Sequence, residues 1–382
     1  MIRLGKIAFL FTFFALLIQS LLFFDQADEL IAVPYALILG GIAAFFLGRR
    51  AHDEDADFQV NIFFWAFSIR IWMGLLLYGW GLSELFGDED AGGYNAAWAL
   101  ASNWYQNGFD GFVSDLGRVI FERQNVGQAL IWGIPTFIAG GPSRMIVSIT
   151  NSFAGALLVI VLFRLARRIF ETETARTTAI IATFWASIIL LSASTQKEIL
   201  VIFCSWTVLY LLVRNPSGLS VKDGLASIPA FIVVFIMRFY SLYLLTTAAL
   251  FRLIVARREH LVRNVIFGSA IVGALAIFAV SSGVINRDFE RVNRSVEGWR
   301  ENMAQTTGSG IEVYSEFEST SVAIPVATIY FFFAPFPWEI FSGSGRNAFG
   351  AVENVLIIGI LIIGFPALKI FFKDKFVELA PI

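Results

Sequence analysis

One cysteine and two histidines in 382 residues remove several chemistries at the outset. Cys204 stands alone in an apolar run, so no disulfide framework or thiolate-ligated metal cluster is available. His52 and His260 lie beside arginines in segments assigned below to the cytoplasm, which leaves no imidazole for a general base. Charge is scarce as well. Only 15% of residues are charged and they balance to −2, so nothing resembles the basic surface that nucleic acid requires.

What fills the chain instead is apolar: 57% hydrophobic residues, 40 of them phenylalanine, with a mean hydropathy of +0.72. A water-soluble chain of this length must cover a large surface with polar groups, and this composition cannot. Lipid removes that requirement. Barrel-type alternation is absent, and only helices satisfy their own backbone groups over long apolar stretches in lipid. The expected fold is therefore all-α: a polytopic transmembrane bundle of about 10–12 hydrophobic helices in one domain over residues 1–382.

Apolar segments run over 7–24, 31–48, 61–86, 126–141, 143–163, 177–194, 199–213, 226–237, 239–256, 265–285, 322–338 and 350–371. The first follows Arg3 and Lys6 with no small-residue cleavage site after it, and is expected to be retained with its N-terminus inside. Basic residues in short loops mark the cytoplasmic side: Arg49-Arg50, Arg164/Arg167/Arg168, Arg257-Arg258/Arg263 and Lys369/Lys373/Lys375. Twelve alternating spans cannot meet all four constraints. If 126–141, which contains Pro135, and 322–338, which ends at Trp338, do not cross fully, the pattern holds with about ten spans. The outer face then receives 25–30, 87–125, the turn Thr195–Glu198, and 286–321, with Arg238 close to it.

Within 87–125, Tyr94, Trp98, Ala101 and Tyr105 recur on one helical face, as in an interfacial helix resting among lipid headgroups. The loop 286–321 alternates four arginines with four acids before a Gly/Ser/Thr-rich stretch, which suits a cover over a site or a solvated connection.

The charges that could do chemistry are few. Asp88-Glu89-Asp90 follows a membrane helix and precedes Gly92-Gly93; a carboxylate there can act as general base, and an Asp-x-Asp pair can share a divalent cation. The competing reading is a solvated helix stop. Lys197 and Glu198 interrupt an otherwise apolar run, where charge is costly without water, a partner or a ligand, unless they simply form an exposed hairpin. Arg238, with aromatic neighbours, has the fork geometry to clamp a phosphate, or it snorkels to headgroups. Arg70 lies midway along 61–86, where a buried carboxylate or a ligand is the expected partner. Tyr94 completes the set offered for substrate binding.

Taken in order, Asp90-Ala91-x-x-Tyr94, the Pro-containing hairpin ending Phe163-Arg164-Leu165-Ala166-Arg167-Arg168-Ile169-Phe170, Ser194-Thr195-Gln196-Lys197-Glu198 and Pro335-Phe336-Pro337-Trp338 resemble the GT-C superfamily of membrane glycosyltransferases. The resemblance covers roughly 60–370 and is to small bacterial members of the mannosyltransferase and aminoarabinose-transferase type. It implies transfer of a sugar from a polyprenyl-phosphate donor to a glycan, lipid or protein acceptor at the extracytoplasmic face of the plasma membrane. Asp90 would be the base, flanked by Asp88 and Glu89, with Arg238, Lys197, Glu198, Tyr94 and Arg70 binding substrate. No cofactor is required, and a divalent cation is optional. In the family the acidic loop follows the first helix, whereas here it follows the third, which keeps Asp25 and Asp28 as rival positions. Three other classes fit the composition: an exopolysaccharide polymerase or ligase led by arginines, a transporter or flippase, and a non-catalytic subunit of a membrane complex. A transporter would be expected to show internal repeats, and none is evident.

Overall fold

The computed structural model describes residues 4–22, 30–49, 55–83, 91–121, 127–215 and 220–255, then 266, 273, 348 and 350–365. Every regular element among them is helical. In chain order these are α1 (Leu4–Leu22), α2 (Ala32–Gly48), α3 (Ala56–Gly79, whose last turn is π-helical), α4 (Ala91–Phe121) and α5 (Gly127–Ala139). Then come α6 (Arg144–Ile169), α7 (Thr172–Phe184), α8 (Ala186–Ala193), α9 (Glu198–Arg214), α10 (Val221–Val255) and α11 (Gly350–Phe365). Two compact units are distinguished: residues 1–265 with 372–382, and 266–371. The first carries α1–α10 and the second α11. The segment 322–338, the loop 286–321 and the basic sites at 257–263 and 369–375 lie outside the described residues.

This is an integral membrane protein. Among the described residues α1, α3 and α6 are long and apolar enough to cross a membrane, and α7 with α8 adds a fourth if the bent pair is one span. These are part of the expected bundle, since the apolar segments 265–285 and 322–338 lie almost wholly outside the described residues. The helix α5 has 13 residues, about 20 Å at ~1.5 Å each, short of a ~30 Å core. The α7–α8 segment bends by 54° at Trp185, and α10 breaks at Arg238.

The organising element is α6. Its N-cap is Ser143, whose hydroxyl accepts from the Ile146 N–H at 3.3 Å, and Arg167 and Arg168 occupy its last turn, where the helix dipole favours cations. One side of α6 enters an aromatic-rich core with α1, α2, α3 and α7, in which Phe63, Phe67 and Phe163 are fully buried. The other side enters a second core with α4, α5, α9 and α10. Polar groups gather at its two ends, about 39 Å apart for its 26 residues. At the C-terminal end Asp55 pairs with Arg167 at 3.0 Å and with Arg176 at 2.6 Å. Nearby, Arg164 Nε donates to Gln59 Oε1 at 2.8 Å and Arg168 Nε to the Arg214 carbonyl at 3.2 Å.

Arg70 is fully buried in the first core, and its partners correct the expectation of a carboxylate. Its guanidinium donates to the carbonyls of Ala66 (2.8 Å), Ala182 (3.3 Å) and Thr183 (3.5 Å), and Nε donates to Ser192 Oγ (3.2 Å). Ala182 and Thr183 end α7, where carbonyls lack helical partners and the dipole is negative. Arg70 therefore caps α7 internally and ties it to α8 across the bend.

That junction leaves no room for a side chain at Gly155 of α6. A Cβ there would lie 2.8 Å from Arg70 Nε and 2.7 Å from Ser192 Cβ. Gly155→Ala is expected to destabilise by about 1–3 kcal/mol through overpacking, read as a lower thermal midpoint in detergent. Gly41→Ala, which meets nothing within 4 Å, should show no loss.

Candidate functional site

Two helix breaks face one another in the second core. The helix α10 loses helical geometry at Arg238 (φ −149, ψ 78). Between α8 and α9 the chain is non-helical over Ser194–Lys197, and Glu198 opens α9, where the positive end of the dipole favours its carboxylate. Across the gap an Arg238 Nη2 donates to Glu198 Oε1, forming an ion pair. Both side chains are partly exposed, which leaves the pair accessible to exchange.

The α8–α9 break is not an exposed hairpin. Ser194, Thr195 and Gln196 are buried, so their backbone groups need partners inside the protein. Asn151 of α6 supplies them: its Nδ2 donates to the Ser194 carbonyl at 2.8 Å and to the Gln196 carbonyl at 3.0 Å. Asn151 Oδ1 in turn accepts from Trp132 Nε1 of α5 at 3.0 Å. The Thr195 N–H donates to the Tyr78 hydroxyl at 2.9 Å. Ser148 Oγ adds a bond to the Ala193 carbonyl at 2.6 Å, and Ser152 Oγ one to the Ser192 carbonyl at 3.3 Å.

Tyr94 belongs to the same core as Trp132, Val147, Ile199, Ile236 and Met237, with the Arg144 guanidinium 5.5 Å from its ring centroid. So Tyr94, Lys197, Glu198 and Arg238 border one apolar cluster, while Arg70 lies behind the break among the α7 carbonyls. Asp88, Glu89, Asp90, Asp25 and Asp28 fall outside the described residues. Among the described residues no three His, Cys, Asp or Glu side chains come together as a cation site.

Part of the aromatic face of α4 packs on protein. Tyr94 and Ala101 of that face are buried, and Tyr105 stacks on Phe137 of α5 at 4.5 Å. At Gly108 the chain turns back with φ 59, a region that favours glycine. The return strengthens the packing. The buried Asp115 carboxylate accepts from Asn103 Nδ2 (2.8 Å) and Trp104 Nε1 (3.0 Å), so the indole N–H is satisfied without water.

Sequence reading missed Asn151, Trp132, Arg144 and Asp115. For Asn151 a signal existed: Ser148, Asn151, Ser152 and Gly155 form a polar, small-residue stripe at i, i+3, i+4 and i+7 of an apolar helix.

Residues 126–282 match the dolichyl-phosphate-mannose-protein mannosyltransferase family, which bears out the GT-C resemblance over that stretch. The match takes in Arg144, Asn151, Lys197, Glu198 and Arg238, and leaves Arg70, Tyr94 and the acidic triplet outside it. No curated protein and no solved structure matches the chain.

The Asn151 carboxamide can be tested through its donor. Asn151→Asp keeps the shape and the acceptor for Trp132 but sets a carboxylate against the Ser194 and Gln196 carbonyls. Each orphaned buried partner costs about 1–3 kcal/mol. The expected result is a lowered thermal midpoint, whereas an exposed turn would tolerate the change.

Proposed function

We propose, from a mannosyltransferase-family segment spanning residues 126–282, that this protein transfers a sugar from a polyprenyl-phosphate donor to an acceptor hydroxyl at the extracytoplasmic face of the membrane. The observation that carries the reading is the Arg238–Glu198 pair, seated at two facing helix breaks inside the matched segment. A planar guanidinium held by one carboxylate is preoriented to exchange it for the oxygens of a lipid phosphate. Lys197, one residue before α9, brings a second cation to that end. The exposed apolar flanks of the bundle suit the polyprenyl chain.

In the reaction the acceptor oxygen bonds to the anomeric carbon while the carbon–oxygen bond to phosphate breaks. The electron pair leaves with the lipid phosphate, where Arg238 and Lys197 offset the growing charge. The acceptor proton passes to a carboxylate, assigned to Asp90, which directly precedes the first described residue of α4. Asp88 and Glu89 orient the acceptor or share a divalent cation with it.

Arg238→Lys retains charge but loses the fork, and should weaken binding of the polyprenyl-phosphate donor in a protein that still folds. Unchanged donor binding in Arg238→Ala would reduce the arginine to a partner for Glu198.

Asp90→Asn should lower turnover about 10²–10⁴-fold with donor binding retained. Asp28→Asn, made in parallel, tests the first-loop alternative. If Asp28→Asn abolishes transfer and Asp90→Asn does not, the base lies in the first loop. If neither matters, glycosyl transfer through these carboxylates is ruled out.

A further inference from the structure

We infer that Gln128 recognises the transferred sugar, its carboxamide oxygen accepting a hydrogen bond from a carbohydrate hydroxyl. This rests on the glycosyl-transfer reading above. Gln128 is the second residue of α5, only 5% exposed, and its Oε1 has no hydrogen-bond partner among the described residues. An unmatched buried acceptor is rare, and it is expensive to keep unless something outside the fold supplies the donor. Two other buried oxygens share this condition, Asn61 Oδ1 and Ser68 Oγ. Both are on α3: Asn61 Nδ2 is engaged by the Asp57 carbonyl at 2.6 Å, near the arginine-rich end, and Ser68 is two residues from Arg70.

The surroundings of Gln128 differ. Trp132 follows at i+4, on the same helical face, and its indole N–H binds the Asn151 that fixes the α8–α9 break. Gly127 abuts α10, since a Cβ there would meet Ile236 Cβ at 2.8 Å, two residues from Arg238. Ala97 lies against Gly133 and Tyr105 against Phe137, so α4 and α5 run in the same direction and begin at the same end. Gln128 thus follows a residue that touches α10 two positions from Arg238, and lies toward the start of α4.

Chemistry selects the ligand. The unmatched atom is a neutral acceptor, so its partner must bring a hydrogen. A fully ionised phosphate diester has none to give, and Arg238 and Lys197 already suit it. A sugar hydroxyl is a donor of the right kind, and a buried acceptor that it satisfies discriminates against ligands without one.

The test compares wild type with Gln128→Met, similar in length but apolar, for binding polyprenyl phosphate and polyprenyl-phosphate mannose without acceptor. Expected is unchanged affinity for polyprenyl phosphate, a loss of about 3–10-fold in the advantage given by mannose, and a thermal midpoint equal to or above wild type. Gln128→Asn, which keeps the amide but withdraws it by one methylene, should lose the same advantage. Variants that keep the mannose advantage, or that unfold, overturn the inference and make Gln128 structural. Wild type binding both lipids equally also overturns it while sparing the donor reading. Wild type binding neither lipid overturns the donor reading itself.

Discussion

Asn151 spends both its donors on main-chain carbonyls of a segment that has left the helix, and much else follows from that choice. In lipid a buried irregular backbone survives only where the protein replaces water as its partner. With the Ser194 and Gln196 carbonyls answered by one carboxamide and the Thr195 N–H by the Tyr78 hydroxyl, the chain can stop, turn and restart inside the bundle. The restart places Glu198 at the first turn of α9, facing the break in α10. Without that anchoring Glu198 would have no fixed height, and Arg238 no fixed partner.

The helix α6 turns this local device into an architecture. Its small and polar stripe at Ser148, Asn151, Ser152 and Gly155 draws α8 close, while its aliphatic residues feed two separate cores. One core is dominated by stacked and edge-on phenylalanines and holds α1, α2, α3 and α7. The other is built around Trp132 and aliphatic groups and borders the charged pair. The two cores differ physically: the first packs rings against rings, and the second sets aliphatic groups and an indole beside charged and polar side chains.

Membrane residence and helical class were legible because composition alone decides them. Lys197, Glu198, Arg238 and Tyr94 were legible as candidates because charges and rings interrupting apolar runs stand out. The breaks were not, since hydropathy does not register the bend at Trp185 or the loss of helix at Arg238. Nor was Arg70's partner: a search for carboxylates overlooks the carbonyls at a helix end, which carry partial negative charge but no sequence label. Asn151 was hidden for a related reason. An asparagine in an apolar helix reads as a tolerated polar residue until the segment it supports is seen to be non-helical. Burial of Trp104 was not legible either, because nothing in the sequence marks Asp115, eleven residues on, as the polar partner that lets the indole go inside.

The internal cap by Arg70 also constrains the order in which the protein is made. Its carbonyl partners on α7 lie 112 and 113 residues further along the chain. At roughly 5–20 residues per second of synthesis, α3 precedes them by about 6–23 seconds. Through that interval the guanidinium has none of its α7 or α8 partners, and charge at mid-membrane is expensive. Insertion of α3 ahead of the α7–α8 pair therefore leaves that charge to be answered later. Docking of α7–α8 supplies the missing carbonyls, so the stability of α3 in the bilayer depends on helices made much later.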